Sequence, residues 1–283
     1  MMSLTASGNR KHRAGLPQWA TLPVMLGGVI LLYWIVVGLT IPLWAPYEPT
    51  MLAGMRFQPP NAEHWLGTDA LGRDVFTRTL YGVRYSLPIA GMVIFCAVLI
   101  GCTLGAIAGF VGGIVDSIIM RLVDVTLSFP PILLAMAVTA ALGPGLGNAA
   151  IAMVIVWWPI YARLMRAQVL TVREREHVEA AVASGATRPR VLVKHILPLC
   201  WSPIIVNATM DFGQVVLLVA SLSFIGLGAA PPTPEWGQMI SDGALHFYRW
   251  WIAAGPGIAI LSIVLGFNFL GDGLRDFLDP RSK

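Results

Sequence analysis

The stretch SLPIAGMVIFCAVLIGCTLGAIAGFVGG, residues 86–113, contains no charged side chain. Crossing the roughly 30 Å of hydrocarbon in a bilayer takes about 20 mostly apolar residues in a helix, so this stretch is long enough to span a membrane. Gly101, Gly105 and Gly109 recur within it at four-residue spacing. Small residues at this spacing let two helices approach closely. The pattern fits either packing inside one bundle or a seam between two copies of the chain.

Similar apolar segments recur on both sides of this stretch. The chain of 283 residues is 56% hydrophobic and only 12% charged, and its mean hydropathy is +0.71. A soluble domain carries about a quarter charged residues. The composition therefore predicts an all-α, polytopic protein embedded in the lipid bilayer. Its six predicted transmembrane helices cover residues 21–44, 86–111, 117–142, 147–170, 200–228 and 252–271.

The positive charges predict how these helices are oriented. Fourteen of the 19 lysines and arginines fall on the side of the bilayer that carries both termini, and five fall on the other side. Cytoplasmic loops are enriched in Lys and Arg, so both termini are predicted to be cytoplasmic. The predicted organisation is an N-terminal tail at 1–20 and a transmembrane domain at 21–283, with outward loops at 45–85 and 229–250 and a cytoplasmic loop at 171–199.

The sequence lacks the short motifs of common enzyme classes. It contains no G-x-x-x-x-G-K-[ST] phosphate loop, no H-E-x-x-H and no G-x-S-x-G. His64 has no second ligand near it in the sequence, and Cys96, Cys102 and Cys200 are predicted to be packing residues within apolar segments. We therefore expect no catalytic residues, no metal site and no cofactor bound by this chain.

The cytoplasmic loop 171–199 has the pattern of two short helices. Val178 and Val182 are spaced to share one helical face. Gly185 follows the last periodic residue, where a helix end favours positive φ. Thr187 then stands where the N-cap of a second helix is expected. This predicts a helix-turn-helix that presents a small apolar surface to the cytoplasm.

Three interpretations of this hairpin differ in what it contacts. A nucleic-acid-binding helix-turn-helix would need to enter a groove, but this hairpin is held between two transmembrane helices, which argues against a nucleic-acid partner. An inert solvated loop is the second interpretation. The third is a docking element for a cytoplasmic partner, which its small alanines and glycine turn favour.

Several stretches resemble one protein family. EAAVASG at 179–185, with ILP at 196–198, resembles the cytoplasmic coupling motif of ABC importer permeases. Three further stretches are similar to the dipeptide, oligopeptide and nickel branch of that family, and the long first outward loop with GTDALGRD resembles its second permease subunit. They are HWLGTDALGRDVFTRTLYGVRYSL (64–87), SLSFIGLGAAPPTPEWGQMISDG (221–243) and FNFLGDGLRDFLDPR (267–281).

The resemblance implies a role and a set of partners. Glu179, Ala180, Ala181 and Gly185 match the coupling motif, whose short helix inserts into a cleft of an ATPase subunit. The implied assembly contains a homologous permease subunit, two ABC ATPase subunits that bind ATP and Mg, and an extracytoplasmic solute-binding protein in a bacterial inner membrane. The implied substrates are dipeptides or short oligopeptides, with nickel chelates or glutathione as alternatives.

A polar stripe interrupts the fifth predicted transmembrane helix. Asn207, Asp211 and Gln214 follow one another at i, i+4 and i+7, so they share a helical face. The family commonly has an acid near the position of Leu218, two turns later. Because charges in the bilayer are costly and usually face a water-filled path or the bundle interior, the stripe predicts either a translocation pathway or a buried polar network. A rival function follows from it, an ion-coupled secondary transporter that uses Asp211.

Two further groups of charges are expected to form local ion pairs. Arg121 and Asp124 lie three residues apart in a predicted transmembrane helix and are expected to pair with each other. In the first outward loop, charges of alternating sign at three- and four-residue spacing predict a short surface helix with internal ion pairs. These residues are Asp69, Arg73, Asp74 and Arg78.

Overall fold

A computed structural model describes residues 22–278, so residues 1–21, which include the predicted tail at 1–20, and residues 279–283 lie outside the described residues. Within 22–278 the fold is built from helices, and the one extended pairing is an isolated bridge between Thr68 and Asp74. The helices in chain order are α1 Leu22–Trp44, α2 Val75–Val111, α3 Gly113–Leu127, α4 Pro131–Leu142, α5 Leu146–Arg173, α6 Glu176–Ala183, α7 Arg188–Val191, α8 Leu197–Phe224, α9 Trp236–Ala244 and α10 Trp251–Leu278. A π-helical turn, Leu192–Ile196, joins α7 to α8.

Five predicted transmembrane helices correspond to single continuous helical runs, including the run from Arg188 through α8 to Phe224. The main change in boundary is at α2, which begins at Val75 rather than at residue 86. Asp74 is the N-cap of α2 and its side chain accepts a hydrogen bond from the Thr77 backbone N–H at 2.7 Å. This cap starts the helix about three turns before the apolar stretch.

The prediction of one continuous transmembrane helix over residues 117–142 is wrong. The structure divides it into α3 and α4, whose axes differ by 93°. Pro130 and Pro131 occupy the start of α4. Proline has no backbone N–H and disfavours the helical conformation in the residue before it, so α3 cannot continue through this point.

The three glycines of the opening stretch pack α2 against α5 of the same chain. A Cβ atom at Gly101 would collide with the Trp158 carbonyl oxygen, and one at Gly105 would collide with the Ala162 carbonyl oxygen. At Gly109 the nearest α5 backbone oxygen would lie 3.0 Å away. The small-residue pattern therefore serves packing within one chain, because α5 already covers the glycines.

The register of this contact gives the number of membrane crossings. Along α2 and α5 the facing pairs are Gly101 with Trp158, Gly105 with Ala162 and Gly109 with Arg166. Numbers rise together on both helices, so α2 and α5 run parallel. Two parallel helices can be joined only by a segment that returns across the bilayer. The bent pair α3 and α4 must therefore cross as one broken transmembrane segment, which gives six crossings.

The remaining long helices pack antiparallel to one another. Gly213 of α8 faces Val264 of α10 at 3.2 Å, and Phe212 stacks on Phe267 with ring centroids 4.1 Å apart. α1 runs along the other side of α10, where the Trp34 indole N–H donates to the Ser262 hydroxyl at 2.8 Å. α10 is thereby held between α8 and α1.

The two loops that are predicted to face outward fold together into one cap over the helix ends, called the outward cap below. The Arg78 guanidinium donates to the Pro49 carbonyl at 2.7 Å and to the Pro232 carbonyl at 3.2 Å, which links both loops to α2. The Arg249 guanidinium donates to the Phe57 carbonyl at 3.0 Å and lies 4.0 Å from the centroid of the Phe57 ring. The cap is thus a structured part of the fold.

The predicted surface helix in the first outward loop is wrong. Asp69, Arg73, Asp74 and Arg78 are all buried. The Asp69–Arg73 ion pair is present at 2.7 Å, but it lies in a turn before α2. Gly67 precedes this turn with φ of +65°, and Gly72 lies within it with φ of +78°. Positive φ interrupts a right-handed helix, so the charge spacing indicates a helix where the chain forms a tight loop.

The predicted Arg121–Asp124 pair is also wrong, because Asp124 pairs across helices. Its carboxylate accepts a hydrogen bond from Arg163 of α5 at 2.5 Å. A second bridge from α3 to α5 joins Asp116 to Arg166 through two hydrogen bonds of 2.5 and 2.6 Å. Both pairs fix the first half of the broken crossing to α5.

Candidate functional site

The cytoplasmic loop forms the predicted helix-turn-helix. Its first helix, α6, is held to the bundle through Val178, whose side chain is 4% exposed. Its second helix, α7, begins after Thr187, whose backbone has the extended conformation of an N-cap although its side chain makes no capping hydrogen bond. Two buried valines, Val178 in α6 and Val191 in α7, and the π-helical turn after α7 thus tie a short hairpin to the ends of the membrane helices.

The turn between α6 and α7 closes at Gly185, as the sequence predicts. Gly185 has φ of +83°. Its N–H donates to the Val182 carbonyl at 2.9 Å, and the Ala186 N–H donates to the Ala181 carbonyl at 3.1 Å. These two bonds make a Schellman motif, which requires a left-handed residue at the glycine position.

Three of the four motif residues are exposed on the hairpin. Glu179, Ala180 and Gly185 are exposed, whereas Ala181 is half-buried. Glu179 and Val182 also line a cavity of about 760 Å³ that lies between the hairpin and the ends of α2 and α5. The exposed surface of α6 is therefore formed by Ala180 and its neighbours rather than by Ala181.

The hairpin is connected to α5 by a short segment of chain, and α5 is hydrogen-bonded to α2 at that point. At the cytoplasmic end of α5, the Arg173 guanidinium donates to the Gly109 carbonyl of α2 at 2.9 Å. α6 begins three residues after Arg173. The hairpin thus follows directly on the residue that joins α5 to α2.

The polar stripe on α8 does not form a mutual network. Asp211 accepts a hydrogen bond from the Tyr161 hydroxyl of α5 at 2.8 Å. The Asn207 side-chain amide donates to the Pro203 carbonyl of its own helix at 2.8 Å. Gln214 is exposed and its side chain makes no hydrogen bond within residues 22–278. The three residues share a face but have separate partners.

The structure adds two aromatic residues that sequence reasoning did not connect with the stripe. Tyr161 is fully buried, and Trp157, one turn earlier on α5, is 3% exposed. The Trp157 indole nitrogen lies near the Asp211 carboxylate but meets no acceptor within ordinary hydrogen-bond limits in the described part of the chain. The signal in the sequence was a Trp and a Tyr four residues apart in the middle of an apolar segment.

A cleft continues from Asn207 of the stripe toward the end of the bundle that carries the hairpin. It has a volume of about 510 Å³ and lies between α8 and α10. Asn207 belongs both to the stripe and to the cleft. The polar side chains that line the cleft are Ser202, Asn207 and Arg275.

Comparison with known proteins identifies the class. The profile of the family described as "Binding-protein-dependent transport system inner membrane component" matches residues 101–283. The chain is 46% identical over 262 residues to the dipeptide transport system permease protein DppC of Alkalihalophilus pseudofirmus, covering 92% of this chain and 86% of that protein. It is 44% identical over 256 residues to the probable D,D-dipeptide transport system permease protein DdpC of Escherichia coli K12, covering 90% and 86%.

A solved structure supports the same fold. The MetNI methionine ABC transporter, in an inward-facing conformation, contains a chain that superposes with a TM-score of 0.58 at 21% identity, covering 71% of this chain and 96% of that one. The chain thus belongs to the family of binding-protein-dependent transport inner-membrane components. It is a multi-pass permease subunit of an ABC importer, and the rival secondary transporter is not supported.

Proposed function

We propose that this chain forms half of the translocation pathway of a peptide importer and couples it to cytoplasmic ATPases. The observation that carries the proposal is the hairpin, in which Ala180 and Gly185 are exposed while Val178 anchors α6 to the bundle. Relatives that are 46% and 44% identical are named as dipeptide and D,D-dipeptide transport permeases, and one named as a glutathione transport permease is 42% identical. This order favours dipeptides or short oligopeptides over nickel chelates or glutathione.

An exposed face of α8 supports the proposed assembly. The outer half of the α8 face that carries the stripe is exposed at Gln214 and Leu217 and half-buried at Ser221, although this face lies in the membrane. A homologous permease subunit would cover it and complete the pathway. Two ATPase subunits, which would bind ATP and Mg, would sit under the hairpins, and a solute-binding protein would dock on the outward cap.

The proposed coupling step is a movement of α6. Closure of the ATPase subunits on ATP would displace the hairpin, and the Arg173–Gly109 hydrogen bond would pass this displacement to α2 and α5. Tyr161 lies on α5 and Asp211 is hydrogen-bonded to it, so the pathway beside them would change its access from one side of the membrane to the other. The energy for this change must come from ATPase contacts that differ between the two states.

Site-specific crosslinking tests this function. Cys96, Cys102 and Cys200 would be replaced, and a cysteine would be introduced by Ala180→Cys, the more exposed of the two motif alanines. In cells that express the neighbouring ATPase genes we expect a crosslink to an ATPase subunit whose yield changes with ATP.

A matched control is Glu63→Cys, at an exposed position in the outward cap. It should give no crosslink to an ATPase subunit under any condition. If Ala180→Cys behaves like Glu63→Cys in a complex that still transports, the hairpin is not the coupling element.

A further inference from the structure

The first half of the broken crossing carries a polar stripe that the rest of the chain leaves uncovered. We propose that this stripe on α3, together with the adjoining open face of α5, lines a water-filled exit through which a charged, hydrated peptide reaches the cytoplasm. The inference rests on the proposed function and adds a second wall of the pathway to the residues of α8. Three observations carry it: the two faces of α3, the exposed charges at membrane depth, and the position of the open face of α5.

The helix α3 has a polar face and an apolar face, and both are exposed. The polar stripe repeats at four-, three- and four-residue spacing, which puts its members on one face of a helix, and it consists of Ser117, Arg121, Asp124 and Ser128. The apolar stripe lies beside it, is between 57% and 79% exposed, and includes Ile114, Ile118, Leu122 and Val125. The one buried residue of α3 is Val123. Two faces of opposite polarity indicate two different environments around this helix.

The charges of the polar stripe are exposed at membrane depth. The side chains of Asp124 and Arg163, which form an ion pair at 2.5 Å, remain 67% and 54% exposed. Arg121 is exposed and forms no ion pair or hydrogen bond with residues 22–278. Charged side chains in a membrane segment are costly and usually face the interior of the bundle or a water-filled path. Because these charges do not face the interior of the bundle, water is the environment that they require.

The depth of Asp124 argues against contact with the lipid headgroups. The helix α3 begins at Gly113, so Asp124 lies about 17 Å along it at 1.5 Å per residue. A long arginine side chain reaches the membrane surface by extending its charged end toward the water, but the short aspartate side chain cannot. A water-filled path that reaches Asp124 accounts for its exposure.

Three consecutive residues of α5 point to three different helices. Tyr161 contacts α8, Ala162 contacts α2 and Arg163 contacts α3. Successive residues turn by about 100° around a helix, so the side of α5 opposite α2 lies between α3 and α8. Ala167 and Thr171 follow Arg163 by one and two turns on this side, and both are exposed. The helices α3 and α8 thus flank an open face of α5.

The open face of α5 leads out of the membrane at the hairpin. Thr171 lies on this face just before α5 ends at Arg173, where the hairpin follows. The polar stripe of α8 borders the face on its other side, where Asp211 contacts Tyr161. Removal of a charged group from water is costly, and the proposed substrates carry a charge at each end. A path between α3 and α8 that keeps them hydrated therefore suits their release.

Accessibility of single cysteines to water tests the inference. In the complete importer without its native cysteines, Ser117→Cys and Ser128→Cys would place a thiol on the polar stripe, and Ile118→Cys and Val125→Cys would place one at matched depth on the apolar stripe. The probe is sulfonatoethyl methanethiosulfonate, a small anion that does not enter lipid, added to inside-out vesicles with and without ATP. We expect the polar-stripe thiols to react about tenfold faster, because the thiolate is the reactive form and apolar surroundings raise the pKa of a thiol by about one unit or more.

Peptide uptake after labelling gives a second readout. The labelled complexes would be purified and reconstituted in vesicles with their binding protein. Modification of Ser128→Cys adds an anionic group to the exit and should lower the rate of uptake of a dipeptide. The same treatment of Val125→Cys should leave the rate at its untreated value.

The outcomes separate this inference from the proposed function. If Ser117→Cys and Ser128→Cys are as unreactive as their apolar-stripe controls, with and without ATP, in an importer that still takes up peptide, the inference alone is overturned. Burial of the stripe against the homologous subunit would give this result. Equally fast reaction on both stripes would also overturn it, because water would then surround α3. An importer that labels as expected but takes up no peptide, although its binding protein binds one, would overturn the proposed function and leave the water-filled face.

Discussion

Of the three α2 glycines that face α5, Gly105 leaves the least room for a larger side chain. An alanine Cβ at this position would collide with the backbone carbonyl of Ala162, and backbone cannot rotate away as a side chain can. We expect Gly105→Ala to lower the free energy of unfolding by about 1–3 kcal/mol, as overpacking typically does, measured as a lower Tm in detergent. Gly28→Ala in α1, where an added Cβ meets nothing within 4 Å, is the control. Equal effects at both positions would contradict the packing argument.

Glu235 is a buried carboxylate in the outward cap, where it accepts a hydrogen bond from the Gln238 backbone N–H at 2.9 Å. Burial raises its pKa above the ordinary value of 4.5, against the opposing effect of its hydrogen bonds. The stability conferred by the protonated form is therefore fully present below pH 4.5 and is lost as pH rises through the raised pKa. We expect Glu235→Gln to remove this part of the pH dependence.

The measurement for Glu235 is the Tm of both proteins from pH 4.5 upward. The difference between them isolates Glu235, because every other titrating group is common to both. The unmodified protein should lose stability relative to Glu235→Gln as pH rises. Parallel curves over this range would show that the carboxylate does not change protonation there.

At the scale of single elements, the hairpin turn depends on backbone conformation rather than on space. An added Cβ at Gly185 meets nothing within 4 Å, but its φ is +83°. A residue with a Cβ is destabilised by about 1–2 kcal/mol in this left-handed region, and Asn is destabilised less than Ala. We therefore expect ATP-driven uptake to fall in the order Gly185, Gly185→Asn, Gly185→Ala, while the amount of protein in the membrane stays similar. A collapse of membrane insertion, or equal activity of all three, would contradict this account.

The elements also show where sequence reasoning succeeds and where it stops. Length and hydropathy predict five continuous membrane helices, and the glycine position predicts the hairpin turn, because both signals are local. Hydropathy does not predict the break at Pro130, because an average over an apolar segment changes little when the segment contains two prolines. The bond between Tyr161 and Asp211 joins residues 50 positions apart, and spacing within one sequence carries no information on such a pair. Likewise the spacing of charges before α2 indicates a helix, because charge spacing carries no information on the positive φ of Gly72.

At the scale of the whole molecule, the topology depends on whether the bent pair α3 and α4 crosses the bilayer. The parallel packing of α2 and α5 requires that it does, so the link between α4 and α5 lies on the same side of the bilayer as the two loops that are predicted to face outward. The Gly145 N–H donates to the Leu227 carbonyl at 3.0 Å, which joins this link to the outward end of α8. A re-entrant segment would instead leave the link in the cytoplasm.

Labelling of single cysteines by a membrane-impermeant maleimide tests this topology. In a cysteine-free background, Pro144→Cys, at an exposed position in the α4–α5 link, should react in right-side-out vesicles, as should Glu63→Cys in the outward cap. Ala180→Cys in the hairpin should react only in inside-out vesicles, because the excess of positive charge beside it is retained in the cytoplasm. If Pro144→Cys is labelled together with Ala180→Cys, the α3–α4 pair is a re-entrant segment, and the parallel register of α2 and α5 is then wrong as well.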